Sequence, residues 1–448
     1  MSGPRSKTLN IRSTLVIAAS ALVALAVWPA FIGTHTRAAA DPIGLLTPAP
    51  VTPDYQIRDK NVAFFEGNVA RGGDMIMPRL LATEYLQRYR ERGDIGDVLR
   101  AQKAAQRSIA IAPNNVTGLQ ILASVELTLH QFREARTTIL RARGYNPFDP
   151  NLILAQASFD LELGNYAEAQ TLLGKPEAMT RDTAGDVTIS RYDEETGHLA
   201  DARRHLDRAM HLADSITSTL AERRAWFHFR MGELLFNSGD NAGALQAERD
   251  ALAIFPDDVN ALNALARIAL ANKRYMEAED AARRGVVLVP NPETLGILAD
   301  AQIADEKVEE ANASVAQIDA VERLGNAQHV NDRLIAVYEA DHNVRTSDAY
   351  AIARREIALR DDIYAEDTLA WCAARAGHWD VAQAAARKAL RFDTEDPRMQ
   401  YHAGVIAQHA GDSVQARRRY ERALALNPTF SATFADDARA QLASLKKP

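Results

Sequence analysis

Eleven histidines are the residues of this chain best suited to metal or acid–base chemistry, and two groups of them fall at suggestive spacings. His198, His205 and His211 lie within one short stretch, and His402 and His409 stand seven residues apart. On a helix, seven residues separate two side chains by about 10 Å along the axis, which is too far for one ion to bridge. Met75 and Met77 could offer soft sulfur ligands, but beside Pro78 they read better as gap-fillers. The single cysteine, Cys372, has no partner for an internal disulfide, and between Trp371 and Ala373 it reads as a small buried thiol. No G-x-S-x-G, P-loop, dinucleotide, H-E-x-x-H or calcium-loop pattern occurs. The expectation is therefore a protein without catalytic residues, without a metal and without a cofactor.

What must position any functional side chain is a repeat. From about Val116 to Phe430, small residues and a proline return with a 34-residue period. In the last unit, beginning at Pro397, Gly404, Gly411, Ala416, Tyr420, Ala423 and Pro428 fall at positions 8, 15, 20, 24, 27 and 32. Earlier units begin near Val116, Pro150, Thr183, Ala225, Val259, Pro292, Val330 and Ile363. Two antiparallel helices approach closely where small side chains meet, a glycine permits the turn between them, and the proline ends the second helix. Abundant Ala, Leu, Glu, Arg and Gln, with no alternating Val/Ile/Thr runs, indicates helix and almost no strand.

On these residues, from about Ala82 to Phe430, the chain resembles the tetratricopeptide-repeat (TPR) family. The resemblance implies an all-α, right-handed α-solenoid of about nine to ten stacked helix pairs, with the first helix of each pair lining a concave groove. Carried onto this sequence, the groove positions include Trp226 and Phe229, then Asn260, Asn263 and Arg267, then Tyr364 and Trp371, then Tyr401. Aromatic rings there would supply contact area, and Asn and Arg would hydrogen-bond an extended backbone or a carboxylate. The plainer alternative is that Trp226, Phe229 and Trp371 fill space between helices. Departures from the pattern are specific. Ser190 and Ala299 stand where glycine is usual, Thr394 replaces a proline, and the segment 217–221 looks inserted. In the unit near Val330, Asp341-His342-Asn343 occupies the glycine turn, so the superhelix is expected to bend or split there.

Charge and ends complete the reading. The chain has 448 residues and a formal charge of −7. Its first 40 residues carry Arg5, Lys7, Arg12 and Arg37 and no acid, around an apolar stretch that ends before Ala38-Ala39-Ala40. That is a basic leader followed by an A-x-A cleavage pattern, and it predicts export to the periplasm, the cell surface or the medium. An uncleaved anchor through residues 13–33 is the alternative. Without the leader, 48 cations face 59 acids. An acidic body argues against nucleic acid as the partner. The expected organisation is a leader or anchor over 1–40, a Pro-rich linker over 41–60, N-terminal helices and a degenerate repeat over 61–115, the array over 116–430, and a capping helix over 431–448. The expected partner is a protein or peptide held in the groove, with a membrane-anchored assembly role as the alternative.

Overall fold

The computed structural model describes residues 53–175, 182–325 and 332–445; the leader, the 13–33 segment and most of the linker lie outside them. Among the described residues there are 22 α-helices and no strands. After a short 3-10 turn at Asp54–Ile57 come α1 (Arg58–Arg71), α2 (Ile76–Arg92) and α3 (Ile95–Ile111). The array continues with α4 (Val116–Thr128), α5 (Phe132–Tyr145), α6 (Pro150–Glu162), α7 (Tyr166–Leu173), α8 (Thr183–Glu195) and α9 (Leu199–Ser215). Then follow α10 (Ala221–Asn237), α11 (Asn241–Ile254), α12 (Val259–Ala271), α13 (Tyr275–Leu288), α14 (Pro292–Ala304) and α15 (Val308–Gly325). The last pairs are α16 (Asp332–His342) with α17 (Thr346–Glu356), α18 (Ile363–Arg375) with α19 (Trp379–Ala389), and α20 (Pro397–His409) with α21 (Ser413–Leu426), closed by α22 (Phe434–Leu445).

Local chemistry explains these bounds. Most first helices start on an acid or amide whose oxygen takes the free N–H groups of the first turn, α10 with Leu220 at its cap being an exception. Asp258 accepts from Asn260 and Ala261, Asp362 from Tyr364 and Ala365, and Asp396 from Arg398 and Met399. Each hairpin turn needs one left-handed residue. Gly164, Gly197, Gly239, Gly377 and Gly411 supply it at φ between 77° and 83°. His130, Lys273, Glu306 and Asn343 make the same turn with a side chain present. Asn343, at φ 55°, is why the unit near Val330 still forms a hairpin instead of splitting the array. Tyr338 of that unit packs against Gly296 of α14, where a Cβ would come within 2.8 Å of the ring. Ser190 sits at a close helix approach and donates to the Ala202 carbonyl at 2.8 Å. The 217–221 insertion brings the start of α10 forward to Ala221.

The array winds back on itself. The hairpin turns of α6–α7, α8–α9 and α10–α11 seat on the loops that precede α18, α20 and α22. A Cβ on Gly164 would stand 2.8 Å from the Asp361 carbonyl, one on Gly197 2.8 Å from Phe392 O, and one on Gly239 2.7 Å from Leu426 O. The Ile363 amide donates to the Tyr166 hydroxyl (3.1 Å), Thr394 Oγ1 to Glu195 O (2.9 Å), and Asn427 Nδ2 to Phe236 O (2.7 Å). Leu161 and Tyr166 share an apolar cluster with Ile363, Leu390 and Met399. The Tyr166 and Ile363 partners are 197 residues apart, so one superhelical turn takes roughly six repeats.

The N-terminus packs on the start of α10 and the end of α11, and here the linker boundary moves. Helix begins at Arg58, inside the expected 41–60 linker, because tertiary contacts order it. Tyr55 lies edge-on to Phe255, Asp54 accepts the Ala221 amide at 3.0 Å, and Arg58 is clamped by Asp54, Glu84 and Glu91. Arg58 and Glu91 are both buried.

Candidate partner-binding lumen

The concave side of the wound array is lined by the first helices of successive pairs, and their charges form a ladder. Arg191 on α8 reaches Glu162 on α6 (2.7 Å) and Glu195 (2.6 Å), Arg230 on α10 reaches Glu194 on α8 (2.6 Å), and Arg267 on α12 pairs with Glu233 on α10. Arg267 also lies 3.7 Å from Glu293 on α14. Farther on, Arg398 on α20 binds Asp341 on α16 (2.6 Å). Arg360, from the second superhelical turn, crosses to Glu162 on the first, alongside Glu356 at 2.8 Å. Burial opposes the charge of Glu162, but Arg360 and Arg191 together hold its carboxyl below the ordinary range.

The expected groove residues fall into three groups. Trp226 and Tyr364, 138 positions apart in sequence, line one cavity between the two turns, although Trp226 is only 8% exposed. On α12, Arg267 keeps 32% of its side chain open and Asn260 is half-buried, but Asn263 is 3% exposed beneath Gly285 and Thr294. Phe229 is partly buried against Ala251 and Phe255. Trp371 and Tyr401 are packed away, at 2% and 4% exposure, and so do not present a surface. The reason is the cap. Phe434 of α22 stacks on Tyr401 at 4.9 Å, whose hydroxyl donates to Asp437 at 2.7 Å; Trp371 lies flat on His402 at 4.3 Å and donates to Asp341 at 2.9 Å.

The histidines are separated by structure as well. His205 is bonded to Asp186 at 3.0 Å, His402 to Asp367 at 3.0 Å, and His409 stacks on Trp379 at 3.5 Å. Among the described residues no three ligating side chains converge. Burial drives the Cys372 thiol well above its ordinary range. Sequence reasoning missed the arginine–glutamate ladder. Its signal was there, as Arg191, Arg230 and Arg267 recur on the same stretch of consecutive first helices.

A tetratricopeptide-repeat family profile matches residues 249–280, which run from α11 through α12 into α13. The chain is similar in structure to yeast Tom70, with 15% identity over 88% of this chain and 94% of that one and a TM-score of 0.32. It is similar to a tetratricopeptide repeat protein from Parabacteroides merdae, with 14% identity over 59% of this chain and 99% of that one and a TM-score of 0.34. A third similar structure is the APC/C hetero-tetramer Cut9–Hcn1, at 10% identity, 88% and 94% coverage and a TM-score of 0.33. No curated protein matches the sequence.

Proposed function

We propose that this tetratricopeptide-repeat chain is a non-enzymatic scaffold that holds a protein or peptide partner against its concave face. The observation that carries the reading is the α10–α12–α14 stretch, where Asn260 and Arg267 remain accessible on a rigid wall of stacked helices. A surface fixed before binding loses little freedom when a partner arrives, so the ordering cost falls on the partner. The ladder also sets a condition on that partner. Because most charges are already neutralised by a neighbouring helix, an anchoring group must exchange with an existing ion pair instead of filling an empty one. We place the array outside the cytoplasm on the strength of the basic leader and the Ala38-Ala39-Ala40 pattern. No helix among the described residues is long and apolar enough to cross a membrane, and the 13–33 segment lies outside them.

The test compares full-length protein with an Asn260→Ala/Arg267→Lys variant in affinity capture from envelope extract, quantified by mass spectrometry. Lysine keeps the charge that Glu233 and Glu293 require but loses the planar two-pronged donor. The expected result is a partner recovered about tenfold less by the variant at an unchanged helical melting curve. Identical recovery by both proteins would contradict the groove assignment.

A further inference from the structure

Between the two superhelical turns lies a cavity walled by α6, α8 and α10 of the first turn and by α16 and the loop into α18 of the second. Its floor is charged and its sides carry the Trp226 and Tyr364 rings. Arg191, Arg230 and Arg360 are each paired with carboxylates. Three groups are incompletely satisfied. Among the described residues, half-buried Arg333 forms no hydrogen bond or ion pair; its guanidinium carbon lies 5.8 Å from the Tyr364 ring centroid, and its charge favours the ionised forms of Glu162 and Asp362. Glu195, whose side chain is 1% exposed, gives Oε1 to Arg191 and makes no hydrogen bond through Oε2, with the Tyr166 hydroxyl close to its carboxylate. Asp362, equally buried, caps α18 through Oδ1 while Oδ2, 3.3 Å from Arg360 Nε, makes no hydrogen bond.

A buried carboxylate oxygen without a hydrogen bond is costly, and this cavity has one on each side, Glu195 Oε2 on the first turn and Asp362 Oδ2 on the second, with the half-buried Arg333 guanidinium beside the latter. A simple anion would satisfy Arg333 and repel the carboxylates; a simple amine would do the reverse. We propose that the cavity binds a free α-amino acid, its carboxylate on Arg333 and its ammonium between Glu195 and Asp362. The zwitterion is neutral, as the paired cavity requires, and it brings the donor and the acceptor that are missing. The cavity offers about 40 Å³ to the centres of water-sized molecules, the room of a few waters, which suits a small side chain.

A second feature agrees. Burial pushes the Glu195 carboxyl up to about 7, with Arg191 working against it, so part of the empty protein carries a proton there at neutral pH. An arriving ammonium favours the ionised form, and binding near pH 7 therefore releases a proton.

The site does not depend on the partner-binding reading, which concerns α12, and the two tests fail separately. Full-length protein is titrated calorimetrically with each of the twenty common L-amino acids at about 10 mM, alongside acetate and methylamine, in two buffers of different ionisation enthalpy. The expected result is one-to-one binding of at least one small amino acid, with proton release, no comparable binding of acetate or methylamine, and affinity about tenfold weaker in Arg333→Gln. Arg333 makes no hydrogen bond or ion pair, so that variant should melt within a few degrees of the parent; Glu195→Gln should still bind more weakly and without proton release. No binding of any amino acid, or equal binding by Arg333→Gln, would overturn the proposal.

Discussion

Glu248 shows how a single residue can work against this fold. It is fully buried on α11, neither carboxylate oxygen has a partner among the described residues, and it lies over Gly232 of α10, where any side chain would collide with it. Burial, reinforced by Glu233 and Asp258, drives its carboxyl well above the ordinary range, so the native state holds it neutral. The sign follows from that raised value. The unfolded chain ionises this group from about pH 4.5 upward while the folded chain does not, so stability present below that pH is lost as pH rises. Glu248→Gln keeps the shape without the ionisation. In urea denaturation the variant should match the parent near pH 5 and exceed it by about 1–3 kcal/mol near pH 8. Equal stability at pH 8 would mean that Glu248 has a donor after all. The residue scale was also where reading the sequence succeeded least with aromatic side chains. Trp371 and Tyr401 occupy positions that face a groove in an open array, but α22 folds over them, and nothing local to either residue announces the cap.

At the scale of elements, the helix pairs were legible because close packing writes small residues at fixed offsets. Ala416 and Ala423, both fully buried, and Gly404, where a Cβ would meet the Tyr420 ring at 2.7 Å, are that requirement made visible. The contacts between superhelical turns were not legible, since partners 188 to 199 residues apart leave no periodic trace. They surface instead as exceptions. Thr394 breaks the proline pattern and donates its hydroxyl to Glu195 O, and Asn427, just before Pro428, donates its side-chain amide to Phe236 O beside the Gly239 amide. Gly164, Gly197 and Gly239 are held by both backbone angle and close approach, whereas Gly377 and Gly411 have open space around them. Asn427→Ala should therefore cost about 1–2 kcal/mol, since it removes a buried amide–carbonyl bond to Phe236 and the acceptor for the Thr429 amide and hydroxyl, and should raise hydrogen exchange on both sides of the joint, at residues 236–241 and 427–430. Faster exchange confined to the α21 end alone would show that the two turns are not coupled.

For the whole molecule, winding changes what the concave face is. An open solenoid offers its groove along its length, whereas here the second turn sits on the first and the groove becomes a lumen with a charged interior. Arg360 on Glu162, Gln87 on Glu222 at 3.0 Å and Lys273 near Asp436 at 3.8 Å fasten the layers at widely separated places. A partner reaches the inner wall either from an end of the superhelix or by parting these joints, and the first route leaves the scaffold as it is. Zero-length carbodiimide cross-linking with peptide mapping reads that closure. Lys273 and Asp436 are both exposed, 163 residues apart in sequence and within bonding reach. A closed superhelix gives a Lys273–Asp436 cross-linked peptide in monomeric protein, lost on Asp436→Asn. Efficient cross-linking between neighbouring helices with none joining α12–α13 to α22 would contradict it and describe an open array.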